Sequence, residues 1–392
     1  MVVEWAGCHF IRSDVCLTSI TSMYKLYLNF ASRAFGCFLA PAMCAAILIT
    51  ATTPFGTVQA GVKNTVIAVI PIPGYNPNES AVTRDGNTAY VAAEEGSGGP
   101  SELFVINAIS TTVVTSIPLT GQNEAFGVAI TPDGTQVFVS NVTSNTISVI
   151  STASNTVTST ITAGTFPEGL AVTPDGSELW VANNGDPGLD DGTVTVYSVS
   201  NGSLINTIDT GGTPTQIQFS RSGKTAYVLN DNGGVGFVDV IDTKTGNITN
   251  PNLGFGMIFQ PFIGMSLSPS GQTLFAGNGV ATITALDIND SATASGLNYL
   301  IPVFSPSEPQ NSQALGQTAI TPDGKYLYVA DFSVDQVSFI ATNAKKSLGT
   351  VDMPAGSGPY NLTLSPNGTY LYVSNFNGET VAIVAVKESL FP

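Results

Sequence analysis

Past residue 60 the chain has no cysteine and no histidine; Cys8, Cys16, Cys37, Cys44 and His9 all precede that point. Their absence removes Ser-His-Asp and Cys-His nucleophiles, zinc and copper sites of the common kinds, c-type haem attachment and any disulfide framework from the bulk of the chain. Positive charge is scarce too. From residue 61 onward 9 Lys and Arg stand against 26 Asp and Glu, a net charge of −17. Such a charge repels phosphate backbones and anionic lipid, and Lys345-Lys346 is too small a basic patch to reverse it. No nucleic-acid partner is expected. Convincing helical patterns are missing as well, so no glycine-rich loop opens a helix to cradle phosphate. Enzymatic options shrink to carboxylate chemistry or to carboxylate-bound calcium or magnesium.

The first 60 residues differ from the rest. Lys25 and Arg33 precede an uncharged, mostly apolar run from Ala34 to Ala51, and small and polar residues follow, ending Val58-Gln59-Ala60. A basic region, an apolar region and a small-residue cleavage signal come in the order that export needs. Glu4 and Asp14 lie ahead of Lys25, which points to a translation start at Met23 rather than Met1. Cleavage after Ala60 is the first expectation. An uncleaved anchor is the second, since a run of about 18 residues just spans a bilayer, and a buried helix is the third. On this reading residues 61–392 form an exported domain, periplasmic or extracellular, that meets a membrane only through residues 1–60.

What the chain has in plenty is one turn. Thr-Pro-Asp-Gly occurs at Thr131 to Gly134, Thr173 to Gly176 and Thr321 to Gly324, with degenerate copies starting at Thr83, Ser220, Ser268 and Ser365, 42 to 53 residues apart. Seven residues after the start of each turn stands an aromatic residue: Tyr90, Phe138, Trp180, Tyr227, Phe275, Tyr328, Tyr372. Aromatics make up only 9% of the chain, so that phase does not come from composition. Ten residues on stand Asn141, Asn183, Asn230, Asn278, Asp331 and Asn375, with Ala93 the exception.

Each unit reads as four strands. A short small-then-large segment such as Gly127-Val128-Ala129-Ile130 leads into the turn, where Pro fixes φ and Gly accepts a positive φ to close a hairpin. A strand such as Glu178 to Ala182 follows, then a third such as Asn145 to Ile150, then a more polar fourth such as Thr156 to Thr162. Four antiparallel strands every 42 to 53 residues, seven times, predict an all-β, seven-bladed β-propeller. A β-sandwich would not repeat one aromatic at one phase. The last unit supplies only three strands before Pro392, while Asn64 to Ile72 looks like a fourth with no unit before it. The N-terminal strand is therefore expected to complete the last blade and remove the open edge.

The segments Leu-Trp-Val-Ala-Asn at 179 to 183, Leu-Tyr-Val-Ser-Asn at 371 to 375, Asn-Thr-Ile-Ser-Val-Ile at 145 to 150 and Ala-Val-Thr-Pro-Asp-Gly at 171 to 176 resemble the YVTN family of β-propeller repeats over residues 64 to 386. The resemblance implies a seven-bladed propeller of the kind found in exported bacterial and archaeal proteins, and no agreed reaction. A related group, the lactonases resembling 6-phosphogluconolactonase, shares the turn but shows Pro-His on the innermost strand. Here Pro77, Pro167, Pro214 and Pro359 are followed by Asn78, Glu168, Thr215 and Tyr360, a departure that speaks against lactonase activity of that kind.

Two constellations suit carboxylate chemistry. Glu79, Glu124 and Glu168 fall at similar but not identical phases at the starts of the innermost strands, and Gln216, Gln317 and Asn361 match Glu79 in units four, six and seven. As functional groups they ring the channel mouth and hold a cation or polar ligand; as bland ones they are solvated loop residues. The loop from Asn183 to Gly192 carries Asp186, Asp190 and Asp191, hard oxygen ligands that suit calcium although their spacing matches no calcium loop; a plain solvated loop is the alternative. The phased aromatics are expected between blades, and the recurring Asn is expected to serve left-handed turn geometry and side-chain bonding to nearby backbone. Gly254 to Pro261 and Ser291 to Pro309 lengthen units four and five as a lid, a partner surface or tolerated loop growth. Together these readings favour a monomeric, non-enzymatic propeller that binds a protein, glycan or small polar ligand, with no cofactor unless calcium. The competing reading is a lactonase-like or metal-assisted hydrolase using Glu79, Glu124 and Glu168.

Overall fold

The computed structural model describes residues 64–96, 99–186, 189, 191–232, 235–254, 262–278, 282–288, 298–303 and 315–386. The export segment lies outside them, as do most of the two long insertions, although Ser291 to Pro309 contains the outermost strand of blade five, Asn298–Pro302. The strands form seven four-stranded antiparallel sheets, six of them in simple sequential order. The seventh takes in the N-terminal strand: Thr65–Pro71 pairs antiparallel with Thr380–Ala385, Ile70 lying opposite Val381. Ile70 and Ile72 are buried with Tyr372 of the last blade and with Val82 and Ala89 of the first, so the first strand stitches the ring shut as its sequence led us to expect.

All seven turns have one geometry. The glycine donates its N–H to the carbonyl three residues back at 2.8 Å in every copy, and its φ lies between +71° and +79°, a region that L side chains enter only with strain. The third position adds a second requirement, for an acceptor. Asp133 Oδ1 accepts from the Thr131 hydroxyl at 2.6 Å and from Thr135 N at 3.0 Å; Asn367 Oδ1 does the same for Ser365 and Thr369, and Ser222 accepts from Lys224 N. Asp, Asn and Ser alternate there because each offers a short side-chain oxygen to the turn.

The phased aromatics lie between blades. Trp180 of blade three packs with Ile217, Ala226 and Val228 of blade four, Phe138 of blade two with Leu170 and Leu179 of blade three, and Tyr372 of blade seven with blade one. A large flat ring fills the wedge that opens between two twisted sheets, and each such ring contributes on the order of 3 kcal/mol of burial.

Of the two roles expected of the recurring Asn, bonding to nearby backbone is present and left-handed turn geometry is not: Asn141 Nδ2 donates to the Thr146 carbonyl at 3.3 Å, Asn183 to that of Thr193 at 3.2 Å and Asn230 to that of Val228 at 3.2 Å. Asn141, Asn183 and Asn375 end the second strand of their blades and Asn230 lies two residues before the end of its own, all four buried, with no positive φ. The amides of Asn141, Asn183 and Asn375 also reach side chains at the start of the third strand: Asn141 Nδ2 donates to Thr146 Oγ1 at 3.1 Å, Asn183 to Thr195 Oγ1 at 3.0 Å and Asn375 to Thr380 Oγ1 at 3.1 Å. The side chain thus ties two strands together at the end of the blade opposite the turn.

Candidate functional site

The innermost strands, Tyr75–Val82, Ala125–Ile130, Pro167–Val172, Thr213–Phe219, Phe262–Leu267, Leu315–Ile320 and Pro359–Leu364, start at the channel mouth and run toward the turns. Each has a register break just inside the mouth. It falls between Pro77 and Ser80, Ala125 and Val128, Pro167 and Leu170, Pro214 and Gln216, Phe262 and Gly264, Leu315 and Thr318, and Pro359 and Asn361. The bulge re-aims the residues within it, and it defines two levels of side chains.

At the inner level Glu79, Gln216, Gln317 and Asn361 share one register position and line a cavity of about 310 Å³. The same position is glycine in three other blades, Gly127, Gly169 and Gly264. A Cβ on Gly127 would sit 2.1 Å from the Glu168 carbonyl oxygen, and one on Gly169 2.3 Å from that of Thr215. Adjacent inner strands approach that closely because glycine stands there, in blades two, three and five, and the polar four project from the remaining blades one, four, six and seven. Gln216 Oε1 accepts from Met265 N at 2.7 Å, Asn361 Oδ1 from the Ser80 hydroxyl at 3.4 Å, and Gln317 Nε2 donates to Glu79 Oε1 at 3.5 Å.

Glu168 stands one position nearer the mouth, in line with Tyr360, Phe126 and Asn78. Its carboxylate accepts from Asn184 Nδ2, from the loop after the second strand of its own blade. Glu124 is outside the strands: it precedes Ala125–Ile130 with φ +57°, and its carbonyl accepts from Val142 N at 2.9 Å. The six sequence candidates therefore divide into four on the cavity wall, one above it and one on the rim. Among the described residues no three Asp, Glu, His or Cys side chains gather around one ion position. Asp190 lies outside the described residues, and of its loop partners Asp191 spends Oδ1 on Asp186 N at 2.9 Å.

The electrostatics follow from burial without counter-charge. Burial, then the neighbouring Glu168, pushes the Glu79 carboxyl up to about 8, and a backbone hydrogen bond from Val128 pulls back only in part. Burial takes Glu168 up to about 7 against the bond from Asn184, with Glu124 adding to the rise. Glu94 moves up for the same reasons, burial and then Glu124, and the Tyr360 phenol moves up through burial, Glu168 and Glu79. Glu79 and Glu168 are half-buried by exposure.

Tyr360 also anchors an aromatic cluster that periodicity did not reveal. Its ring centroid lies 6.3 Å from Phe126, 6.5 Å from Phe332 and 6.1 Å from Phe376. These rings come from blades two, six and seven, so they meet only because the ring closes. All four are partly exposed at the mouth. The signal that was available was position: Phe332 and Phe376 each directly follow the phased Asp331 or Asn375.

Comparison with known proteins agrees with this architecture. The structure resembles a chain of Kuenenia stuttgartiensis hydrazine synthase, with TM-score 0.69 and 20% identity over 80% of this chain and 96% of that one. It also resembles the β-propeller domain of Myceliophteria thermophila Cps50 (Swd1), with TM-score 0.66 and 11% identity over 83% of this chain and 100% of that one. At those identities the likeness is one of fold. No curated protein matches the sequence. Residues 23–231 match the model of the SMP-30/gluconolactonase/LRE-like region. Residues 192–390, half of the chain, match that of the seven-bladed β-propeller lactonases, and with seven four-stranded blades closed into a ring the chain belongs to that lactonase family of propellers.

Proposed function

We propose that this is an exported propeller that binds a small polar molecule at the mouth of its central channel. The observation that carries the reading is the cavity of about 310 Å³ on whose wall Glu79, Gln216, Gln317 and Asn361 converge, a size and polarity suited to a small ligand held by a few oriented groups. Carboxylates and amides offer both acceptors and donors, and the aromatic rim supplies apolar area. Replacing Gln317, 5% exposed and on the wall, with Leu should weaken binding of sugars or lactones at least tenfold, about 1.4 kcal/mol, by titration calorimetry. Binding unchanged in Gln317→Leu would remove the cavity from the reading.

A second reading is hydrolysis of a lactone, favoured by the family match and by two neighbouring carboxyls raised to about 7 and about 8. Near neutral pH one is ionised while the other keeps its proton. Ionised Glu168 takes a proton from water as the water oxygen adds to the lactone carbonyl. Glu79 then gives its proton to the ring oxygen as the ring C–O bond breaks, and proton exchange with solvent resets the pair. Acid release followed across a lactone panel separates the two: turnover that disappears in Glu168→Gln supports hydrolysis, binding without turnover supports the binding propeller, and neither overturns both.

A further inference from the structure

Resting on the channel-mouth reading above, we propose that the molecule bound there is an organic cation, an amine or quaternary ammonium compound, seated against Tyr360 with its charge toward Glu168 and Glu79.

The two faces of the propeller carry different charges. Among the described residues every Lys and Arg lies at the turn face: Arg84, Arg221, Lys224 and Lys325 in the turns between first and second strands, Lys244 and Lys345 in the turns between third and fourth, and Lys346 at the first residue of a fourth strand. The mouth has none, but it carries Glu79, Glu94, Glu124, Glu168, Asp335 and Glu379. Inner strands of six to eight residues separate the faces by about 20 Å at about 3.3 Å per residue. That is more than two Debye lengths at about 8 Å each, so the turn-face cations do not neutralise the mouth. An anion entering there meets only repulsion, and a cation is drawn in.

Four further observations select the kind of cation. A compact metal ion is held best by several carboxylates around one point, and no three Asp, Glu, His or Cys side chains gather so among the described residues. A larger cation spreads its charge over methyl or methylene groups and does not need that convergence. Tyr360, Phe126, Phe332 and Phe376 supply the ring faces that such groups prefer. Below them the cavity has room for the rest of the molecule. Finally, Asn361 lines that cavity, and its side chain, 6% exposed, is held through Oδ1 by Ser80 and Thr363 while no hydrogen bond from its Nδ2 is present among the described residues. An amide donor left open there suits a hydroxyl or carbonyl carried by the same molecule.

Titration calorimetry of the full chain with choline and with its neutral isostere 3,3-dimethylbutan-1-ol tests this directly. Choline is expected to bind at least about tenfold more tightly than the alcohol, to lose that advantage in Glu168→Gln, and to weaken as salt is raised while the alcohol does not. Tyr360→Leu, which removes the ring, should bind choline at least about tenfold more weakly than the unmodified chain. The salt series on the unmodified chain decides the matter if a variant fails to fold. Equal binding of choline and the alcohol overturns the cation while leaving the channel-mouth site standing. Calcium chloride raising the melting temperature where choline does not overturns the organic cation in favour of a metal. No binding of choline, the alcohol, sugars or lactones overturns the site itself.

Discussion

The turn face and the mouth face are built from the same strands and obey opposite rules. At the turns seven copies agree, and their carboxylates are held low: the Thr hydroxyl and following backbone N–H groups bring Asp85, Asp133 and Asp175 below the ordinary Asp range. At the mouth the seven copies disagree, and the carboxyls are held high by burial, Glu79 with Glu168 beside it and Glu168 with Glu124 adding to the rise. Repetition marks the end where every blade needs the same backbone geometry. Divergence marks the end that is free to carry something specific to this chain.

The largest test removes the closure on which both faces depend. Deleting residues 61–72 takes away the strand paired with Thr380–Ala385 and the buried Ile70 and Ile72. At about 1.5–3 kcal/mol for each buried side chain, before the lost ladder bonds, stability should fall by at least about 3–6 kcal/mol in calorimetric melting. An unchanged melting temperature would falsify the closure. Next come two glycines, one from each face. Gly169→Ala drives a Cβ to within 2.3 Å of the Thr215 carbonyl and should cost about 3 kcal/mol of overpacking. Gly134→Ala meets nothing within 4 Å and pays only for its φ of +74°, about 1–2 kcal/mol. If denaturant melts rank them the other way, the close approach of inner strands is not what glycine serves at the mouth.

The pH dependence sharpens the contrast. Glu79 and Glu168 bind protons more tightly in the folded state, so the folded protein is favoured below their unfolded value of 4.5. That advantage drains away as pH rises through about 7 and about 8. Glu79→Gln and Glu168→Gln should therefore match the unmodified chain at pH 4 and exceed it at pH 9 by on the order of 2 kcal/mol, a value reduced for solvent access through the mouth. The turn aspartates have the reverse sign. Their contribution is complete above the unfolded 3.8 and is lost as pH falls below it, so acid loosens the turns while alkali loosens the mouth. Asp133→Asn, which keeps the acceptor and changes only its charge, should shift melting at pH 7 least of all these variants; a shift larger than that of Gly134→Ala would show that charge, rather than a short acceptor, is what the turn requires.

How much of this was legible in the sequence divides along the same line. The turn and the phased aromatic recur with local spacing, so strands such as Thr156–Thr162 and Leu204–Asp209 can be bounded from the amino-acid pattern alone. The shared position of Glu79, Gln216, Gln317 and Asn361 was legible because each sits at a fixed distance from its own turn. The contacts of Tyr360 with Phe126 and Phe332, or of Glu168 with Asn184, join blades or irregular loops, and no periodicity links their positions. The Asn near the end of the second strand was legible in place and in its bonding to nearby backbone, but not in its reach to a side chain of the third strand. The Thr that follows Asn141 at 146 and Asn375 at 380 was the hint that it reaches across to the third strand.

Closure by the first strand also imposes an order in time. The strand that seals the ring is synthesised first and its partner last, and the bond from Gly74 N to Glu379 Oε2 spans 305 residues. Until the final blade emerges, the first strand has no sheet to join and the growing crescent keeps an open edge at each end. Contacts of such separation form late and slowly, so the mouth, whose walls come from both ends of the chain, exists only in the finished ring.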